Sequence, residues 1–212
     1  MPPASPCLVL DGSARDGLRA GVSADGRWIS QAVSEYGALE SAAGCAAEAL
    51  RFAGINVTGI RSFALCAGPG SILGVRITAM MVRAWIALEP RPCFVWNGLQ
   101  AIALAAVEGG MAPPFAVVAE SRLRRWNTLP LSSDGVHGAC VELEAGQVAS
   151  LGLPLVGPAG APFATHPAPD VWPLLPALFA QGRLLRAEDR PDALNPASDF
   201  AVWSGDRHRA PR

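Results

Sequence analysis

The chain has 212 residues, half of them apolar, with a net charge of −1 and a pI near 6.3. That is enough for one domain or two small lobes with a sizeable core, and the balanced charge excludes unaided, sequence-tolerant nucleic-acid binding. There is no lysine among the 17 basic residues, which removes Schiff-base, Ser-Lys and Walker-lysine chemistry.

In chain order, residues 7–10 form a short apolar run that ends at Asp11-Gly12-Ser13, a buried first strand. Residues 19–24 and 27–33 flank Asp25-Gly26, a strong hairpin signal, so a three-stranded meander is expected. Residues 34–53, rich in Ala, Glu and Leu, read as a helix closed by Gly54. A strand at 62–67 leads into Gly68-Pro69-Gly70-Ser71, where Ser71 is placed to cap a helix that runs to Leu88 and stops at Glu89-Pro90. A strand at 92–96 and a helix at 99–107 complete a β-β-β-α-β-α-β-α order. Residues 109–114 are a Gly/Pro linker. Beyond it, strands at 115–120, 124–131, 138–143 and 153–156 and a helix from about 171 to 185 repeat the opening pattern in shortened form. The division expected is a first lobe of residues 1–108 and a second lobe with a surface tail, residues 109–212. The tail, 187–212, is polar and Pro-rich and is expected to lie over the surface, anchored by Phe200 and Trp203.

Cys7, Cys45, Cys66, Cys93 and Cys140 are odd in number, lack a CxxC pair and point to a reducing compartment. His137, His166 and His208 share no ligand spacing with them, so no metal site is expected. The N-terminus has no signal-peptide pattern, and no apolar run approaches a membrane span, so a cytoplasmic protein is expected, with no membrane partner.

The helix after the glycines has two apolar faces. Leu73, Ile77, Met81, Ala84, Trp85 and Leu88 form one; Ile72, Val75, Ala79, Val82 and Ile86 form the other, with Arg76 and Arg83 at the edge. The 34–53 helix carries a small-residue stripe of Ala38, Ala42, Cys45 and Ala49. Either the two helices pack on each other beside the sheet, or one face meets a partner.

The glycine turn fits neither G-x-G-x-x-G nor the Walker spacing, and Pro69 lacks the N–H a phosphate cradle uses. Two readings stay open, a tight strand-to-helix turn and a helix N-terminus that holds an anion. Asp11 and Ser13 could meet Mg²⁺ and phosphate, or simply end a strand. Glu120-Ser121-Arg122, with Arg124 and Arg125, could bind an anion or form a solvated face. No Ser/His/Asp or Cys/His arrangement is supported.

Taken together these pieces resemble the TsaB family. Residues 8–13, LVLDGS, look like its opening "LxIDTS", and residues 67–77, AGPGSILGVRI, look like its signature "GxGPGSFTGVRIG". Residues 97–103, NGLQAIA, match "SSLEALA" in pattern, and residues 155–161, LVGPAGA, resemble "LVGDGA". The motif residues are Gly68, Pro69, Gly70, Ser71, Gly74 and Arg76. The resemblance implies an α/β protein of the actin-like ATPase class with two RNase H-like lobes. It implies a non-catalytic subunit, not itself an enzyme, that pairs with TsaD and, with TsaE, supports threonylcarbamoyl transfer to adenosine in ANN-decoding tRNAs. In that reading Asp11 and Ser13 are vestigial nucleotide contacts. The chain needs no cofactor of its own, ATP and Mg²⁺ belong to the complex, and tRNA is met only through it. The pairing surface is expected at Ala38, Ala42, Cys45, Ala49, Val75, Ala79, Val82, Arg83 and Ile86, with a homodimer when the chain is alone. The alternative is a small phosphotransferase of the same class using Asp11 and Ser13. Departures from the family pattern are Asp11-Gly12-Ser13 for DTS, Ile72-Leu73 for Phe-Thr, Glu35-Tyr36 where a histidine is common, and residues 195–200 for P-x-Y-x-R.

Overall fold

In the computed structural model the described residues are 2–14, 17–121 and 124–192; Arg122, the tail anchors Phe200 and Trp203, and His208 lie outside them. The expected meander is present as β1 (Cys7–Asp11), β2 (Leu18–Ala24) and β3 (Arg27–Ser34), all antiparallel. Asp25 and Gly26 both have positive φ, 50° and 73°, as a two-residue primed turn requires. Val22 pairs with Ser30 but Ser23 with Trp28, so Ile29 is an extra residue that bulges β3. β4 (Ser62–Cys66) lies parallel to β1, and β5 (Cys93–Trp96) parallel to β4.

The first helix, α1 (Ala38–Phe52), starts four residues later than the sequence suggested, because β3 continues pairing to Ser34. It ends in a Schellman motif: Ile55 N–H donates to Leu50 C=O, Gly54 N–H to Arg51 C=O, and Gly54 has φ 68°. The next helix, α2 (Ile72–Leu88), is capped by Ser71, whose hydroxyl accepts from Gly74 N–H. In α3 (Gly98–Glu108) the Asn97 side chain accepts from Leu99 and Gln100 N–H.

The second sheet repeats the arrangement. β6 (Phe115–Glu120), β7 (Arg125–Leu131) and β8 (Val141–Glu144) form a meander, and a short α4 (Ala145–Ala149) follows. β9 (Leu155–Gly157) then lies parallel to β6, and β10 (His166–Pro167) parallel to β9. The strand orders β5-β4-β1-β2-β3 and β10-β9-β6-β7-β8 are the same path drawn twice, so the molecule is two RNase H-like α/β units.

The helix expected near 171–185 is cut short. Pro173 and Pro176 leave a 3₁₀ turn at Trp172–Leu174 and a six-residue α5 (Leu175–Ala180). Its apolar stripe, Leu175, Leu178 and Phe179 with Trp172, packs on the first sheet against Val9, Cys66, Phe94 and Trp96. A final strand, β11 (Arg186–Ala187), adds to the edge of β5. Trp172 stacks on Trp28 at 4.7 Å and donates to Gln31, while Trp28 donates to the Trp172 carbonyl. The first sheet is thus covered on one side by α1 and α2 and on the other by α3 and α5. α3 bridges the two units: Ala101 and Leu104 face the first sheet, Leu99 and Ala103 face Phe115 and Val117 of the second. Among the described residues no helix is long and apolar enough to cross a membrane.

Candidate functional site

At the turn that launches α2, two backbones cross in contact. A Cβ on Gly12 would lie 2.6 Å from the Gly74 carbonyl oxygen, and a Cβ on Gly74 would lie 2.1 Å from the Gly12 oxygen. A Cβ on Gly70 would lie 2.2 Å from the Ser13 oxygen. All three contacts are backbone, so no rotamer change could relieve them. The loop after β1 is therefore pressed onto the first turn of α2, and only glycine fits.

Three amides tie this crossing together. Ser13 N–H donates to its neighbour Asp11 Oδ1 at 2.9 Å, Ser71 N–H to Ser13 C=O at 2.7 Å, and Gly74 N–H to Ser71 Oγ at 3.2 Å. Pro69 has none to offer. The contacts give these glycines a packing reason, a tight strand-to-helix turn pressed onto the loop after β1. Thr78, fully buried, donates to the Gly74 and Val75 carbonyls and puts its methyl group against Gly12. Burial pushes the Cys66 thiol beneath this crossing well above its ordinary range, and the Asp11 carboxylate acts in the same direction, so it is no thiolate nucleophile.

The second candidate cluster is also internally engaged. The Ser121 hydroxyl bonds the Glu142 carboxylate, and Arg125 reaches both that carboxylate, at 3.4 Å, and the Glu142 carbonyl, at 3.0 Å. His137 and His166 sit on the second sheet, away from the strand that carries Asp11. Among the described residues no group of three or more His, Cys, Asp or Glu is placed to hold a metal ion. A groove of about 440 Å³ lies elsewhere, lined by Ile86, Pro90–Cys93, Glu188 and Asp189.

The expected pairing surface must be corrected. Ala42, Cys45, Ala49, Val75, Ala79 and Val82 are all buried in the core under α1 and α2. Ala38 and Ile86 are half-buried, and of the nine residues only Arg83 is exposed. The physical reason is the sheet below. Leu8, Leu10, Ala20, Val22, Ala32 and Leu65 supply an apolar floor, and small side chains let the helices sit close to it. Ser30 locks α1 down by donating to the Ala49 carbonyl at 2.5 Å, and the Gly12–Gly74 contact sets the roll of α2.

The outward face coincides with neither expected stripe, since Ile77, Met81 and Trp85 also pack against that core. Leu73 is 61% exposed, Met80 65%, and Leu39 at the start of α1 68%. Ala84 and Ala87 on α2 and Ala43, Gly44 and Ala47 on α1 continue the exposed strip, with Arg76 and Arg83 on one side and Glu40 and Glu48 on the other helix. The two helices pack side by side on one core, so this is a single two-helix surface. Met80 is the residue that sequence reasoning missed. The signal was present in Arg76 and Arg83, which mark water-facing positions three or four residues from Leu73, Met80 and Ala87.

Comparison with solved structures decides what architecture this is. YeaZ from Pseudomonas aeruginosa superposes with a TM-score of 0.63 at 20% identity, over 84% of this chain and 93% of that one. The fold is that of YeaZ. A second structure, described as an uncharacterized protein with similarity to peptidase YeaZ from Pseudomonas aeruginosa, gives a TM-score of 0.62 with the same identity and coverage. No family model matches the sequence, and no curated protein matches it either. The likeness covers most of both chains, so it bears on the fold as a whole.

Proposed function

We propose that this chain is a TsaB-type subunit that does no chemistry itself and pairs with a TsaD-like protein to support threonylcarbamoyl transfer to tRNA adenosine. The observation that carries the reading is the outward apolar surface of α1 and α2, Leu39, Leu73 and Met80 with small residues between. Leu and Met side chains more than half exposed on adjacent helices, with alanine and glycine allowing close approach, suit a helix-to-helix interface. The sequence resemblance to TsaB and the fold shared with YeaZ, the same protein by its older name, support the choice of partner. A TsaE-like ATPase would join the complex, tRNA would be met through it, and ATP and Mg²⁺ would be bound by those partners. The same surface would pair two copies when the chain is alone. A cytoplasmic setting fits this role.

The test is co-purification with the TsaD-like protein of the same organism. Retention of the complex by both Leu73→Asp and Met80→Arg would remove the basis for the reading. The kinase alternative has less support, because Asp11 Oδ1 already accepts from Ser13 N–H and the Ser13 carbonyl from Ser71 N–H within the chain. Calorimetry of the isolated protein with Mg-ATP separates the two: micromolar binding and phosphoryl transfer would favour the kinase.

A further inference from the structure

The first sheet ends on one side in β11, two residues long, and on the other in β3, which pairs with β2 alone. β3 has eight residues, the longest strand among those described, and its sequence, RWISQAVS, holds no proline and no charge after Arg27. Open edges are normally blunted by such residues or by a bulge. The bulge at Ile29 lies towards one end and leaves Ser30–Ser34 as a regular stretch. One face of that stretch, Ser30 and Ala32, is sealed under α1, while Gln31 and Val33 are exposed, Val33 at 67%. Arg27 before it and Glu35 after it are exposed as well, and neither has an ion-pair partner among the described residues.

We propose that the free edge of β3 pairs antiparallel with β3 of a second copy of this chain, about a two-fold axis at Ala32, joining the two first sheets into one. The regular stretch is its own complement. Centred on Ala32, Ser30 lies opposite Ser34 and Gln31 opposite Val33, each twice by symmetry. Opposite residues keep to the same face with Cβ atoms about 4.5–5.5 Å apart, so the Gln31 methylenes cover the exposed Val33. The ends match in charge. Arg27 of each copy comes alongside Glu35 of the other, so two cations meet two anions across the axis. Such a pair consumes both open edges, and growth stops at two copies. The contact does not rest on the proposed function and uses none of Leu39, Leu73 and Met80.

The experiment reads the mass of the full chain by analytical ultracentrifugation in a Met80→Arg background, which removes the helical surface as a route to self-association. This chain is expected to be a dimer at about 100 µM, within reach of a modest interface. Arg27→Glu, added to it, sets like charges together at both ends and should weaken the dimer at least about tenfold. Adding Glu35→Arg as well reverses both partners and should restore the dimer to within about threefold of its first affinity. Amide exchange over residues 28–35 of the Met80→Arg chain should slow as its concentration rises. A monomeric Met80→Arg chain overturns the proposal and leaves any self-association of the parent to the helices. A dimer indifferent to Arg27→Glu, or one that the double reversal does not rescue, overturns the edge contact as well. Binding of the TsaD-like protein by the parent and its loss in Met80→Arg test the pairing function separately, whatever the mass shows.

Discussion

Gly74→Ala should destabilise this protein, although the position is helical and the same substitution normally helps. Gly-to-Ala inside a helix typically gains about 0.5–1 kcal/mol through helix propensity and the unfolded state. Here the new Cβ would meet the Gly12 carbonyl oxygen at 2.1 Å, far inside the roughly 3.5 Å of a relaxed contact. The obstacle is backbone, so α2 and the loop after β1 must separate by about 1 Å or more. That loosens the Ser71–Ser13 hydrogen bond, at about 1 kcal/mol, and strains the core beneath at about 1–3 kcal/mol. Set against the propensity gain, the net loss is about 1–3.5 kcal/mol, or a Tm about 2–14 °C lower for a chain of this size. Gly44→Ala is the matched control. It lies in mid-α1 with nothing within 4 Å of a Cβ, so it should raise stability by about 0.5–1 kcal/mol. Urea unfolding of both variants, with unchanged m-values, gives the two signs directly. A Gly74→Ala protein as stable as the parent would refute the crossing as the reason for that glycine.

Leu73→Asp and Met80→Arg should change stability by no more than about 0.5 kcal/mol, since both side chains are exposed, yet each should weaken pairing by at least about tenfold in a pull-down titration. Ala79→Arg puts a charge into the core and should fail to fold, which circular dichroism would show. Trp172→Ala removes a ring stacked on Trp28 and the indole hydrogen bond to Gln31 that joins the C-terminal segment to β3, and should cost about 3–5 kcal/mol by chemical denaturation. Burial pushes the Cys7 thiol up to about 12, so the folded state keeps a proton that the unfolded state releases near pH 9. Stability should therefore fall above pH 9, by about 1.4 kcal/mol per pH unit from this thiol, until pH 12. Cys7→Ser should flatten that slope, and a thiol reagent at neutral pH should label half-buried Cys140 ahead of the four buried cysteines.

Where the sequence spoke through local chemistry, the structure agrees. Asp25-Gly26 made its turn, Ser71 capped α2, and Gly54 closed α1. The duplicated strand order was legible because each unit opens with a meander and returns through a parallel strand. The orientation of α1 and α2 was not legible from periodicity, which finds two apolar faces without saying which one meets a sheet. The small stripe Ala42-Cys45-Ala49 looked like a place for a partner helix, but the strands took it first. The start of α1 was read too early because residues 34–37 carry no strong strand or cap signal, and pairing with β2 decides that Ser34 is strand. The destination of α5 is a long-range outcome: Trp172, Leu175, Leu178 and Phe179 announce an apolar stripe, but nothing local tells it to return to the first sheet.

That return has a consequence for biosynthesis. Phe94 and Trp96 leave the ribosome long before Phe179 and Trp172, which cover them. At roughly 5–20 residues per second, the intervening ~80 residues take on the order of 4–16 s to make. Through that interval the first sheet has its α1 and α2 side complete while its opposite side has only α3 and lacks the cover of Trp172 and α5. The first unit thus matures only when α5 has been made and has returned to it.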